Sequence, residues 1–242
     1  MTGILEVRNV SRAFDALWAV REVSFSVAPG ELLGLIGPNG AGKSTLYNLI
    51  AGGLKPTHGE IVFAGRRVTG WRSYQVARIG LARTFQIPKP YRQLSVTENV
   101  MLTAFQHEPS LARSRALADA TLADVGLSDY AAAPIATLTV GLLKRLEVAR
   151  ALAMRPKLVL FDEIMAGLTP TEVGFMTRLV AGLPARGITV LWVEHVLYAI
   201  MKTASRIMVL NRGEVIADGA PAAVARDPVV VKAYLGEEMS LA

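Results

Sequence analysis

A glycine-rich turn between an apolar run and a helix-like segment constrains this sequence more than any other feature. Residues 37–45 read Gly-Pro-Asn-Gly-Ala-Gly-Lys-Ser-Thr and fit the pattern G-x-x-x-x-G-K-[ST]. Residues 31–36 have the apolar character of a buried parallel strand, and residues 43–51 have helical character. A strand, a phosphate-binding turn and a helix in this order predict an α/β nucleotide-binding fold with a parallel sheet.

The chemistry of polyphosphate explains the composition of this turn. Glycines let consecutive backbone N–H groups point inward at phosphate oxygens, and the following helix adds the positive end of its dipole. We expect Lys43 to reach the β- and γ-phosphates of ATP and the Ser44 hydroxyl to ligate Mg²⁺. The residues expected to bind the nucleotide here are Gly37, Pro38, Asn39, Gly40, Ala41, Gly42, Lys43, Ser44 and Thr45.

A second motif ends an apolar strand with two carboxylates. Residues 158–163 read Leu-Val-Leu-Phe-Asp-Glu, and a parallel sheet would place this acidic end at the edge where ligands bind. We expect Asp162 to hold Mg²⁺ through water and Glu163 to orient and deprotonate an attacking water. Together with the phosphate-binding turn, this pair predicts a nucleotide hydrolase.

The remaining periodicity predicts a helical middle between two parts of mixed strand and helix. Strands are predicted over residues 4–10, 20–27 and 188–193, with a hairpin around residues 206–217. Ser95 and Glu98 form a capping-box pattern ahead of a helix over residues 99–105. Further helices are predicted over residues 111–122, 143–152 and 171–183.

The order of these motifs resembles the ATP-binding subunit of ABC transporters over essentially the whole chain. The resemblance implies an α/β fold with a P-loop NTPase (RecA-like) parallel-sheet core, an N-terminal antiparallel β region and an inserted α-helical subdomain. It implies one domain over residues 1–242, with the nucleotide-binding core in residues 1–87 and 153–242 and the helical signature subdomain in residues 88–152.

The same resemblance assigns further site residues. Gln86 matches the glutamine that contacts Mg²⁺ and the attacking water, and His195 matches the histidine that contacts the γ-phosphate. Phe14 matches the aromatic residue that stacks on adenine, a contact that needs a flat apolar face. The expected catalytic residues are therefore Lys43, Gln86, Glu163 and His195, and the expected Mg²⁺ ligands are Ser44, Gln86 and Asp162.

The signature motif departs from the family pattern. Its core reads Thr139-Val140-Gly141-Leu142 where the family has Ser-x-Gly-Gln. Thr139, Val140 and Gly141 are expected to bind the ATP held by the opposite subunit, through a hydroxyl and a bare backbone N–H. Leu142 lacks the amide side chain, and the loss of one hydrogen bond costs about 0.5–1.5 kcal/mol, which predicts a weakened site. Ile164 and Thr169 replace the usual proline and Asp or Asn in the segment that contacts the second subunit.

The resemblance also implies partners. These are a second ATPase subunit in a homo- or heterodimer, integral membrane permease subunits that dock near Ile87–Tyr91, and a periplasmic or extracellular binding protein reached only indirectly. Residues 82–100, 162–172 and 233–237 resemble the ATPases of branched-chain amino acid importers. We therefore expect import of branched-chain or other hydrophobic amino acids; importers of urea or amide-type molecules share these features and stay an alternative.

Charge, composition and chain length limit the other functions that this sequence could have. A net charge of +6 suits nucleotides, nucleic acid, an anionic membrane face or a solvated basic surface. ABC-type ATPases that act on DNA separate their nucleotide motifs by long coiled coils, and no sustained heptads occur here. Ribosome-acting members usually carry two such domains and this chain has room for one, so no nucleic-acid partner is expected. The absence of cysteine excludes disulfides and thiolate chemistry.

The sequence also argues against two further classes of protein and predicts a location in the cell. Gln86, the signature segment and His195 argue against a P-loop kinase or GTPase, and Glu163 argues against a regulatory subunit that binds nucleotide without hydrolysis. The amino end carries Glu6 and Arg8 where a signal peptide would be apolar. The longest weakly polar run, residues 131–143, falls short of a membrane span. We expect a cytoplasmic protein, peripheral on the inner face of the cell membrane.

Overall fold

A computed structural model describes residues 3–238, which form a mixed α/β fold. Residues 1–2 and 239–242 of the predicted domain lie outside the described residues. The strands are β1 (Leu5–Phe14), β2 (Leu17–Val27), β3 (Leu32–Ile36), β4 (His58–Phe63), β5 (Arg66–Arg67), β6 (Leu81–Arg83), β7 (Leu158–Asp162), β8 (Thr189–Val193), β9 (Arg206–Asn211) and β10 (Glu214–Gly219). The helices are α1 (Lys43–Ile50), α2 (Ser73–Arg78), α3 (Val96–Ala104), α4 (Leu111–Asp124), α5 (Val140–Ala153), α6 (Pro170–Gly182), α7 (Leu197–Thr203), α8 (Pro221–Val224) and α9 (Pro228–Glu238).

The strands form two sheets. The larger has the order β10-β9-β3-β8-β7-β6, in which β10 alone pairs antiparallel and the other neighbours pair parallel. The smaller is antiparallel, with the order β2-β1-β4-β5. The predicted parallel core and N-terminal antiparallel region are both present.

The central strands are apolar throughout because both faces of the larger sheet are covered. In β3, Leu33 and Leu35 join the core between the two sheets, which also contains the apolar face of α1. Leu32 and Ile36 on the other face join a core that includes residues of α3, α4, α5 and α6. A strand buried on both faces needs an apolar run rather than an alternating pattern, as the sequence has there.

The middle of the chain is helical, as predicted, and both α3 and α5 begin three residues before the predicted start. Ser95 accepts a hydrogen bond from the Glu98 backbone N–H and Glu98 accepts one from the Ser95 N–H, so the capping box opens α3. The helix predicted from residue 143 begins instead at Val140, because the Thr139 side chain caps it by accepting the Leu142 N–H at 3.3 Å. The signature residues therefore form the N-terminus of α5.

Several elements, among them β6, α2, α7, α8 and α9, had no counterpart in the sequence prediction. Strand β6 has only three residues and α2 has six, which is too short for a clear periodicity. Strand β6 nevertheless forms the edge of the larger sheet, beside β7, and leads to Gln86. Among the described residues, the structure contains no helix long and apolar enough to cross a bilayer.

Candidate active site

Four loops meet at the carboxyl edge of the larger sheet. The phosphate-binding turn follows β3, the segment with Gln86 follows β6, Asp162 and Glu163 end β7, and His195 follows β8. The parallel pairing of these strands brings their carboxyl ends to one side. The edge is therefore where the fold collects polar side chains.

The phosphate-binding turn is held in shape by contacts within the chain. Lys43 is 6% exposed, and its ammonium donates to the carbonyl oxygens of Gly37 at 2.6 Å and Pro38 at 2.8 Å. Gly42 has φ +102° at the N-cap of α1, and a Cβ there would lie 2.2 Å from the Ala19 carbonyl oxygen. No acidic residue occupies the first turn of α1. The N-terminal N–H groups of this helix therefore suit an anion.

Glu163 is held by two side chains from different strand ends. Gln86 donates its side-chain N–H to one carboxylate oxygen at 2.5 Å, and His195 Nε2 lies 2.7 Å from the other. The Glu163 backbone has φ +46°, and its N–H donates to the Val193 carbonyl oxygen at 2.9 Å. A non-glycine residue in the left-handed region costs about 1–3 kcal/mol and persists where its surroundings fix it.

Asp162 fits a cation. One carboxylate oxygen, Oδ1, is buried without a hydrogen-bond partner, and the Asp162 backbone N–H donates to the Thr84 hydroxyl at 3.2 Å. Burial, and then the charge of Glu163, raise the pKa of this carboxyl group. An orphaned oxygen beside a second carboxylate is the environment that Mg²⁺ would neutralise. Among the described residues no three acidic, histidine or cysteine side chains form a group that could hold a metal ion by themselves. Hydroxyl, amide, water and phosphate oxygens also suit Mg²⁺.

The other predicted site residues lie at the start of α1, the end of β1 and the start of α5. Ser44 is exposed in the first turn of α1, next to Lys43. Phe14 is 41% exposed at the end of β1, where the Arg12 guanidinium lies 4.6 Å from its ring centroid. Thr139 and Val140 are exposed at the start of α5, while Gly141 is buried. The exposed pair can meet a second molecule.

Comparisons with known proteins agree with this geometry. The family model described as ABC transporter matches residues 20–166, and the model described as branched-chain amino acid ATP-binding cassette transporter matches residues 214–239. The chain belongs to the ABC transporter family. As an ABC cassette it is an ATP-hydrolysing transporter subunit, which confirms the prediction from its motifs.

Curated relatives of this ABC cassette differ in the transport that their names describe. It is 35% identical to the high-affinity branched-chain amino acid transport ATP-binding protein BraF of Pseudomonas aeruginosa, over 97% of this chain and 98% of the relative. It is 33% identical to the lipopolysaccharide export system ATP-binding protein LptB of Acidithiobacillus ferridurans, over 100% of both chains. The resemblance to ATPases of branched-chain amino acid importers is confirmed.

Solved ABC cassettes share the fold. The ADP conformation of the ATP-binding cassette MJ1267 superposes with a TM-score of 0.87 at 31% identity, covering 98% of this chain and 100% of that one. The dimeric post-hydrolysis structure of the cassette MJ0796 with ADP and phosphate gives a TM-score of 0.82 at 26% identity, covering 90% and 98%. The predicted P-loop NTPase fold is confirmed.

Three buried charged residues of this ABC cassette were missed by the sequence reasoning. Glu194 is 2% exposed and accepts the Met165 N–H at 2.7 Å and the His195 N–H at 3.1 Å. Lys144 and Glu147 are each 4% exposed on α5. Burial lowers the pKa of Lys144, against the charges of Glu194 and neighbouring acids, and raises the pKa of Glu147 and Glu194. Their sequence signal is a charge on an otherwise apolar helix face or strand end.

Proposed function

We propose that this cassette hydrolyses Mg²⁺-ATP to power an importer of branched-chain or other hydrophobic amino acids, from the cytoplasmic face of the membrane. The proposal of ATP hydrolysis rests on one observation: Gln86 and His195 contact the two carboxylate oxygens of Glu163 from two sides. A carboxylate fixed in this way, beside a phosphate-binding turn, is placed to accept a proton from water.

The residues divide the work of hydrolysis between binding and proton transfer. Backbone N–H groups of the turn and the Lys43 ammonium bind the β- and γ-phosphates, and Phe14 supports the adenine. Ser44, Gln86 and Asp162 would hold Mg²⁺, which when bound neutralises charge that develops on the phosphate oxygens. Glu163 accepts the proton of the attacking water, and His195 contacts the γ-phosphate. Positioning and charge stabilisation supply most of the rate.

A second cassette completes each site in this proposal. Val140 is 55% exposed, and the Thr139 hydroxyl, which accepts the Leu142 N–H, keeps its own hydrogen to donate. We infer a head-to-tail pair, of two copies or of this chain and a sister chain, in which Thr139–Gly141 of one subunit contacts the γ-phosphate held by the other. An isolated subunit would then hydrolyse ATP slowly.

A cleft of about 460 Å³ next to the Gln86 segment suits the permease. Phe85, Tyr91 and Arg150 are among the residues that line it, and the Arg150 guanidinium lies 5.5 Å from the Tyr91 ring centroid. Ile87, two residues after Phe85 in the sequence, is 73% exposed. Exposed aromatic and apolar side chains over a concave surface suit a cytoplasmic helix of a membrane subunit. A cysteine at Ile87 should cross-link to the permease, and cross-linking only at distant positions would remove this docking site.

The cargo and the direction of transport need a functional test, because the relatives include both an amino acid transport protein and an export protein. The cassette should be co-purified with its membrane and binding-protein partners and reconstituted in vesicles with ATP on the cassette side. ATP-dependent accumulation of leucine, isoleucine or valine supports the proposal, and the Lys43→Ala complex is the control. Accumulation of urea or an amide instead, or outward transport of a lipid, would overturn it.

A further inference from the structure

The helix that presents the signature residues also reaches this chain's own catalytic loops. Lys144 lies four residues after Val140 on α5, so about 6 Å further along the helix axis. Its buried ammonium donates to the backbone carbonyl oxygens of Gln86 at 2.5 Å and Glu163 at 3.0 Å. One side chain thus joins the start of α5 to the two loops that place the general base and its amide partner.

Neighbouring side chains of α5 hold the Gln86 segment in the same way. The Glu147 carboxylate accepts backbone N–H groups of Phe85 and Lys89, and the Arg150 guanidinium donates to the Lys89 carbonyl oxygen at 2.9 Å. This segment lies between β6 and α3 and has no regular secondary structure of its own around Gln86. Its path therefore depends on α5.

Glu163 needs such support more than an ordinary strand residue. Its φ of +46° is in the left-handed region, which a non-glycine residue occupies only when the surroundings determine it. Both of its backbone polar groups are used: the N–H donates to Val193, and the carbonyl oxygen accepts from the Ala166 N–H at 3.3 Å and from the Lys144 ammonium at 3.0 Å. Removing the ammonium would release one of these three restraints and leave the other two.

We propose that Lys144 is a positioning residue that couples the signature end of α5 to Gln86 and Glu163 of the same chain. A shift of α5, when Thr139–Gly141 engage the partner's nucleotide, would move the Gln86 and Glu163 loops with it, because Lys144 is bonded to both. The position of Glu163 in each chain then depends on whether Thr139–Gly141 of the same chain contact the nucleotide in the opposite site. This inference rests on the two-subunit cycle proposed above and adds the link within one chain.

The substitution Lys144→Met tests the link, because it keeps the aliphatic stem and volume and removes only the ammonium. We expect kcat of the assembled complex to fall roughly 10- to 100-fold through misplacement of the base. The Kd of a fluorescent ATP analogue should change by less than about threefold, since the phosphate-binding turn is untouched. Lys144→Arg, which restores a buried donor, should recover part of kcat.

The matched control is Arg145→Ala on the same helix. The Arg145 guanidinium contacts a different region, 4.0 Å from the Phe175 ring centroid, so this variant should keep the wild-type kcat. A Lys144→Met complex with wild-type kcat would overturn the inference, and so would a parallel fall of kcat, nucleotide affinity and thermal stability. A wild-type complex that hydrolyses ATP without accumulating any amino acid would overturn the proposed cargo and leave this coupling standing.

Discussion

The substitution Gly141→Ala probes why the signature motif needs a glycine here. A Cβ at Gly141 would lie 1.9 Å from Glu172 Oε1, so the Glu172 side chain would have to move. The other carboxylate oxygen of Glu172 accepts hydrogen bonds from the Thr169 backbone N–H at 2.8 Å and from the Thr169 hydroxyl at 2.9 Å. These bonds close the capping box at the start of α6.

Two opposing terms set the size of the effect. Displacing Glu172 weakens the cap of α6, at a cost of about 0.5–2 kcal/mol. Alanine in place of glycine favours the helical conformation at Gly141 by up to about 1 kcal/mol. The single substitution should therefore change the free energy of unfolding little. In a Glu172→Ala background the clash is absent, and Gly141→Ala should stabilise by up to about 1 kcal/mol.

A double-mutant cycle in urea denaturation measures this difference. The coupling energy between Gly141→Ala and Glu172→Ala should be about 0.5–2 kcal/mol. The control is Gly182→Ala at the last position of α6, where an added Cβ would have no atom within 4 Å, and it should be neutral or stabilising. Additivity of the two substitutions within about 0.3 kcal/mol would refute the packing argument.

Two further predictions concern buried carboxyl groups. Glu194→Gln replaces an acceptor oxygen by an N–H₂ group that faces backbone N–H groups, so it should cost about 1–3 kcal/mol of unfolding free energy despite the removal of a buried charge; an unchanged urea midpoint would contradict this. Because the folded-state pKa of Asp162 is raised, the free chain should lose stability as pH rises from the usual aspartate value through the raised value. Over the same window the stabilisation by Mg²⁺-ATP in thermal melts should grow. Asp162→Asn should weaken both pH dependences, while Glu147 and Glu194, whose pKa values are also raised, keep part of the first. Wild-type pH dependences in this variant would contradict the assignment.

Features of the fold that depend on neighbouring residues in the sequence were predictable from the sequence. The phosphate-binding turn, the apolar strand before it and the Ser95 capping box each depend on residues within one short segment. The meeting of Gln86 and His195 at Glu163 was implied by the resemblance to the ABC family and by the rule that parallel strands share a carboxyl edge. Their individual roles stay predictions until variants are measured.

The supporting residues were not predictable in the same way. Lys144 and Glu194 take their roles from partners far away in sequence, and a buried charge carries no local pattern that names its partner. Strand β6 is too short to show a period and is formed by its pairing with β7. The early start of α5 depends on a single cap, Thr139, which lies in a segment that the sequence reasoning treated as a binding motif.

The central claim is that Glu163 activates the water that attacks bound ATP. The substitution Glu163→Gln keeps the size of the side chain and removes its basic oxygen. Burial is the main cause of the raised pKa of Asp162, and the substitution also removes the second cause, the charge of Glu163. Measured side by side on the assembled complex, Mg²⁺-ATP affinity should be retained or slightly tighter, while kcat should fall by about 10²–10⁴-fold. Turnover at the wild-type rate with Mg²⁺-ATP bound would contradict the account.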